Sequence, residues 1–263
     1  MAGALPEQEK MFSLTQWMMV FLRVSALFSV FPVFSGANFP VQLRLALAAL
    51  FAALVWPVLP PSLTPAPDLW GLAGAMAGEV CIGLLLGFAC RMVFFALDMA
   101  AAIIGNEIGL QLPSSVNPMS GAQTNSIGSI MYYLAAMLWL NLDLHHWMIA
   151  GLQKTYRYLP IGGGHISGAL ATDLIGRTSQ TFFVALQLSA PIMAVSFIIS
   201  LVFSVLGRAV PQMNVFYESF VFRILIGLTI FGLTMQLMSE HIVNYLRRLP
   251  EDLLQVAQLL GAH

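Results

Sequence analysis

Asp143, His145 and His146 fall within four positions of one another in a largely apolar run. A carboxylate beside two imidazoles is a donor set that suits zinc-like ions. On a helix, however, adjacent histidines point about 100° apart, and the His-Glu-x-x-His spacing that aligns two imidazoles is absent. Packing beside Trp147 is the simpler account, so no metal ligand is assigned. Gly164-His165-Ile166-Ser167-Gly168 has the outline of a serine-nucleophile turn, but its first glycine is one place too far from the serine and no paired base is evident. With Gly162 and Gly163 before it, the run reads as a flexible turn. Glu218 and Arg223 are five apart, which is poor spacing for a helical ion pair and leaves either open to another subunit. Cys81 and Cys90, nine helical steps apart, stand about 13 Å from each other. That is too far for a disulfide, so both read as inert thiols. No phosphate-binding glycine loop is present, and no cofactor is implied.

The elements around these residues are built for lipid. Charged residues are 9% of the 263 positions, against roughly 25% in soluble domains. The net charge of −1 gives no basic surface for nucleic acid. Glu7, Glu9 and Lys10 precede the first apolar run without a basic region or small-residue cleavage site, so no removable signal peptide is expected. Six apolar helical segments are predicted, at about 12–34, 43–59, 69–97, 127–150, 181–206 and 220–239. The fold expected is an all-α membrane protein of helices in hairpins, forming one integral membrane domain over 1–263. Several segments are poor lipid-facing spans. Arg23 interrupts the first, Trp56-Pro57 and Pro60-Pro61 end the second, Glu79 and Arg91 lie in the third, and Asp143 lies in the fourth. A lone charge at mid-bilayer costs at least about 2.5 kcal/mol, so these helices face protein or water. Gly74–Gly78, Gly83–Gly87 and Gly105–Gly109 each repeat the spacing that lets helix backbones approach closely.

Two further stretches are polar without being charged. Residues 207–216, Gly-Arg-Ala-Val-Pro-Gln-Met-Asn-Val-Phe, separate a run with no charge (178–207) from one whose only charge is Arg223 (220–239). An Arg, a Pro and two amides need partners in lipid, so the joint belongs in protein or at an aqueous boundary. Residues 109–126 contain Pro113 and Pro118, small polar residues and no charge, with Leu110, Leu112, Val116 and Met119 scattered among them. A surface loop and a loop occupying a narrow pore both fit that composition. Lys10, Lys154, Arg157, Arg177, Arg247 and Arg248 fall on one side of a six-span topology, with Arg44 and Arg208 on the other, which predicts cytoplasmic termini. In the tail, 240–263, Ile242, Leu246, Leu249, Leu253, Val256 and Leu260 form an apolar seam divided by Pro250. Either an interfacial helix or a surface for a partner would carry such a seam.

The joint at 207–216 resembles the signature of the FliR type of type III secretion export-gate subunits. Phe39 to Leu47, Gly83 to Phe88 with Ile104 to Leu110, and Asp143 to His146 with Pro160-Ile161-Gly162 resemble further stretches of that family, in order. The resemblance implies a single copy combined with FliP-type and FliQ-type subunits in a helical gate. It also implies contact with further export-apparatus membrane proteins and passage of unfolded flagellar proteins. The location implied is the inner membrane, in the flagellar basal body. The loop would then be a plug carrying Leu110, Leu112, Pro113, Val116, Asn117, Pro118 and Met119, and Arg208, Pro211, Gln212, Asn214 and Phe216 would serve assembly. Glu107, Asn117-Pro118 and the polar run after Phe216 depart from the usual flagellar pattern, which keeps an injectisome gate open as an alternative. A small-solute transporter would need matching broken segments in two halves, and an enzyme would need a nucleophile–base pair or a metal set; neither is visible in the sequence.

Overall fold

The computed structural model describes the backbone of residues 5–36, 39–59, 69–110, 126–164, 168–212 and 214–261, with side chains from residue 14 onward except that of Phe216. Among these residues the chain is helical, without a strand. The helices are α1 (Leu5–Val30), α2 (Pro32–Ser35), α3 (Val41–Val55, closed by a 3-10 turn at Trp56–Val58), α4 (Leu69–Ile108), α5 (Ser126–Asn141), α6 (Leu144–Tyr158), α7 (Gly168–Ala209), α8 (Val215–Leu246) and α9 (Leu249–Gly261). Among the described residues four stretches are long and apolar enough to cross a membrane, and a fifth results if α5 and α6 are one broken span. The six apolar segments are therefore not six equal spans. Among the described residues the apolar stretch of α1 is Leu14–Val30, and the fourth segment breaks at Leu142-Asp143. α4 and α7, by contrast, run to 40 and 42 residues. At 1.5 Å per residue each is about 60 Å long, twice a hydrocarbon core.

Contacts gather the chain into two compact units, the first made of residues 1–92, 143–177 and 248–263, and the second of 93–142 and 178–247. In the first, α3 turns Ala48, Ala52 and Val55 inward and packs on α1, whose Met19, Val20, Val24 and Leu27 are buried. Phe28 meets Phe51 edge-on at 5.3 Å between ring centroids. α9 lays Leu249, Leu253, Val256 and Leu260 against α6, and Gly261 at its end lets the backbone of Tyr158 come close, where a Cβ would strike the Tyr158 carbonyl. That part of the tail seam is covered by the chain itself, neither left for the membrane interface nor for a partner. Arg177 ties the start of α7 to α9, holding Asp173 at 2.6 Å, Asp252 at 2.6 Å and Gln255 at 3.0 Å.

In the second unit α5 packs on α8, and Phe94 meets Tyr132 at 5.9 Å between ring centroids. Ile108 fills the notch left by Gly227, and Ser196 donates to the Glu107 carbonyl at 3.5 Å. Much of α7 and α8 nevertheless stays bare. Their most apolar windows are 22% and 11% buried, against 56% for α4. Phe182, Phe183, Phe197, Val205, Leu225 and Leu233 are among the exposed side chains.

Candidate functional site

The joint at 207–216 is the turn of a helical hairpin. α7 ends at Ala209, with the Val210 N–H still donating to Leu206 at 2.9 Å, and Pro211 and Gln212 make the turn. Asn214 then caps α8, its side-chain oxygen accepting from the Tyr217 N–H at 3.5 Å, and Glu218 stands in the first turn where the helix dipole favours an acid. Gly207 lets the legs close, because a Cβ there would sit 2.7 Å from a methyl of Val215. Higher in the hairpin, Phe203 and Phe222 meet at 5.4 Å, and Arg223 donates to Ser200 at 2.9 Å. Arg223 thus spends one donor across its own hairpin rather than on Glu218. Arg208, Pro211, Gln212 and Asn214 are exposed at the tip, and the Phe216 side chain lies outside the described residues.

The proposed packing glycines divide into three groups. Gly83 and Gly87 receive α1: a Cβ on Gly83 would strike the Arg23 carbonyl, and one on Gly87 would stand 2.9 Å from the Leu27 carbonyl. Gly74 and Gly78 meet nothing within 4 Å. They line a cavity of about 410 Å³ with Gly71, Glu79 and Gly162. Gly109 is a terminator. It takes φ 88°, its N–H donates to Asn106 at 3.1 Å, and the next N–H, of Leu110, returns to Gly105 at 2.9 Å. That pair of bonds satisfies the last carbonyls of α4 and stops it. Leu110 is half-buried beyond this cap. Leu112, Pro113, Val116, Asn117, Pro118 and Met119 lie outside the described residues, as do His165 to Ser167.

The strongest polar feature of the first unit joins residues far apart in sequence. Arg23 on α1 and Glu79 on α4 are both fully buried and meet as a two-pronged pair, Nε to Oε2 at 2.5 Å and Nη2 to Oε1 at 2.9 Å. The third nitrogen, Nη1, donates to the Leu159 carbonyl at 3.0 Å, and Oε1 also accepts the Gly162 N–H at 2.9 Å. Gly162 has φ 78°, a conformation that excludes most side chains. The guanidinium lies over the Tyr156 ring, 4.2 Å from its centroid. Arg91 donates to the Val30 carbonyl at 3.4 Å, the last residue of α1. The sequence showed two opposite charges in neighbouring apolar helices, but not that they pair. The available signal was that an isolated charge in such a helix is costly; Glu9 on the first helix and Arg91 on the fourth are nearer counter-charges in sequence, so spacing alone did not select this pair.

This architecture defines an all-helical membrane protein whose buried ions are paired internally while its longest apolar faces stay open. The chain belongs to the bacterial export proteins, family 1, whose pattern it matches over residues 14–249. It is 29% identical to the "Flagellar biosynthetic protein FliR" of Escherichia coli strain K12, over 91% of this chain and 92% of that protein. The proteins of the same name from Caulobacter vibrioides and Bacillus subtilis are 28% and 26% identical, over 82% and 93% of this chain and 87% and 95% of theirs.

Proposed function

We propose that this chain is a non-catalytic subunit of the flagellar protein export gate in the bacterial cytoplasmic membrane, combining with FliP-type and FliQ-type subunits around a passage for unfolded flagellar proteins. The family match across nearly the whole chain carries this reading, and the flagellar names of the relatives favour it over an injectisome gate. The bare apolar faces of α3, α7 and α8 support it physically. Exposed Phe182, Phe183 and Phe197 suit burial against neighbouring helices or acyl chains, and exposed Arg208 and Gln212 suit a polar partner at the hairpin tip. The loop 109–126 serves as the plug, and energy for transport comes from other parts of the machine.

The experiment is purification of the tagged chain in mild detergent followed by native mass measurement. A particle several times heavier than the chain, releasing two other small hydrophobic proteins on activation, is expected. A bare monomer from cells that assemble flagella would sink the proposal.

A further inference from the structure

Asp143 is the single non-glycine residue, among those described, with a positive φ, at 54°. Aspartate tolerates this left-handed conformation better than most residues, but it is still strained. The residue occupies the N-cap of α6, where a carboxylate ordinarily accepts from the backbone N–H groups of the first turn. Here the side chain makes no such cap bond. Its Oδ1 faces both imidazoles instead, 3.7 Å from His146 Nδ1 and 4.0 Å from His145 Nε2.

The two rings do not diverge as an ideal helix would have them. Their centroids are 4.0 Å apart with planes inclined at 40°, and one offers its proximal nitrogen while the other offers its distal one. One donor atom from each residue thus lies within 4.8 Å of the others. Asp143 and His146 are open to water, their side chains 73% and 70% exposed, while His145 is half-buried at 34%.

We propose that Asp143, His145 and His146 bind a divalent transition-metal ion of the zinc class. Two neutral imidazoles and a carboxylate match its ligand preference and half its charge. Bonds of 2.0–2.1 Å in a tetrahedron put donors roughly 3.4 Å apart. The exposed side chains of Asp143 and His146 can rotate to close the present separations toward that value around the half-buried His145. The remaining position is left to water.

The test uses the full chain in detergent, purified without a polyhistidine tag and stripped with a chelator. It is titrated with cobalt(II), read by its visible absorption, and then with zinc(II) by calorimetry. One equivalent of metal per chain is expected. His146→Ala and Asp143→Asn should each weaken zinc binding by about ten-fold or more, since even groups behind the ligands commonly matter that much. Asn tolerates the left-handed backbone as Asp does, so Asp143→Asn keeps the fold, and an unchanged helical circular dichroism spectrum checks it. Absence of a cobalt band, or equal zinc affinity in wild type and both variants, would overturn the proposal.

Discussion

Arg23 is held by a carboxylate, a backbone carbonyl and an aromatic face at once, with all of its neighbours out of water. A guanidinium suits this position because its planar fork meets both carboxylate oxygens and still presents a further N–H. Removing one partner of such a pair strands the other, which costs roughly 3–5 kcal/mol, whereas replacing both with apolar groups of similar size is often tolerated. Glu79→Ala should therefore lower the level of folded protein in the membrane sharply, read as protease resistance and thermal aggregation temperature in detergent. The double variant Arg23→Met, Glu79→Leu should recover most of that loss. If the double variant is as damaged as the single one, stranded charge is not the cause. Arg23→Lys should behave like a loss, because a single ammonium cannot reach Glu79 in two-pronged fashion and Leu159 together. At this scale the sequence was half legible. It marked Arg23 and Glu79 as charges that could not face lipid, but partners separated by 56 positions are chosen by packing, not by spacing.

Among the elements, one helix uses the same motif in different ways along its length. In α4, Gly83 and Gly87 lie under α1, while Gly74 and Gly78 face open space. Gly83→Ala should force α1 away and destabilise the fold by about 1–3 kcal/mol, as overpacking does. Gly74→Ala should leave thermal stability in detergent unchanged or slightly raised, since alanine is the better helix former by about 0.5–1 kcal/mol. Equal destabilisation by both substitutions would contradict this division. The spacing of glycines was readable in sequence, but which pairs meet a neighbour was not, because four-residue spacing says only that small residues share a face. Gly105–Gly109 shows the limit: its second glycine ends the helix through a positive φ. The tail gives the opposite lesson. Its seam was plain from Leu249, Leu253, Val256 and Leu260, yet α6, the helix it covers, lies about a hundred residues earlier.

Over the whole molecule, an all-helical membrane class was legible in composition, and lengths were less so. Hydropathy finds the stretch compatible with lipid, while α4 and α7 continue as helix past Arg91 and through Arg177 because each of those cations finds a partner. The hairpin turn at 207–216 was legible as a polar joint, from Pro211 and Asn214. The capping bond and the closeness enforced at Gly207 required coordinates. Two predictions belong here. With the gate assembled, removing residues 110–119 should raise ion leakage across the membrane, measured as conductance or proton uptake. Background conductance with confirmed assembly would refute a plugging role for that loop. Replacing exposed Arg208 or Gln212 with alanine should reduce motility and recovery of the assembled particle, yet leave the isolated chain's melting temperature within about 0.5 kcal/mol equivalent, as surface changes do. A matching fall in the isolated chain's stability would make these residues structural instead.

The wide sequence separation of the Arg23 and Glu79 pair sets an order of events on the ribosome. Glu79 is made 56 residues after Arg23, and Gly162 another 83 after Glu79. At 5–20 residues per second, a naked guanidinium waits on the order of 3–10 seconds for its carboxylate, and the clasping turn arrives later still. During that interval the first helix has no stable home among acyl tails, so the nascent chain needs shelter from insertion machinery until its fourth helix emerges. Biogenesis, more than final stability, is then the step most sensitive to slowing synthesis between those two codons.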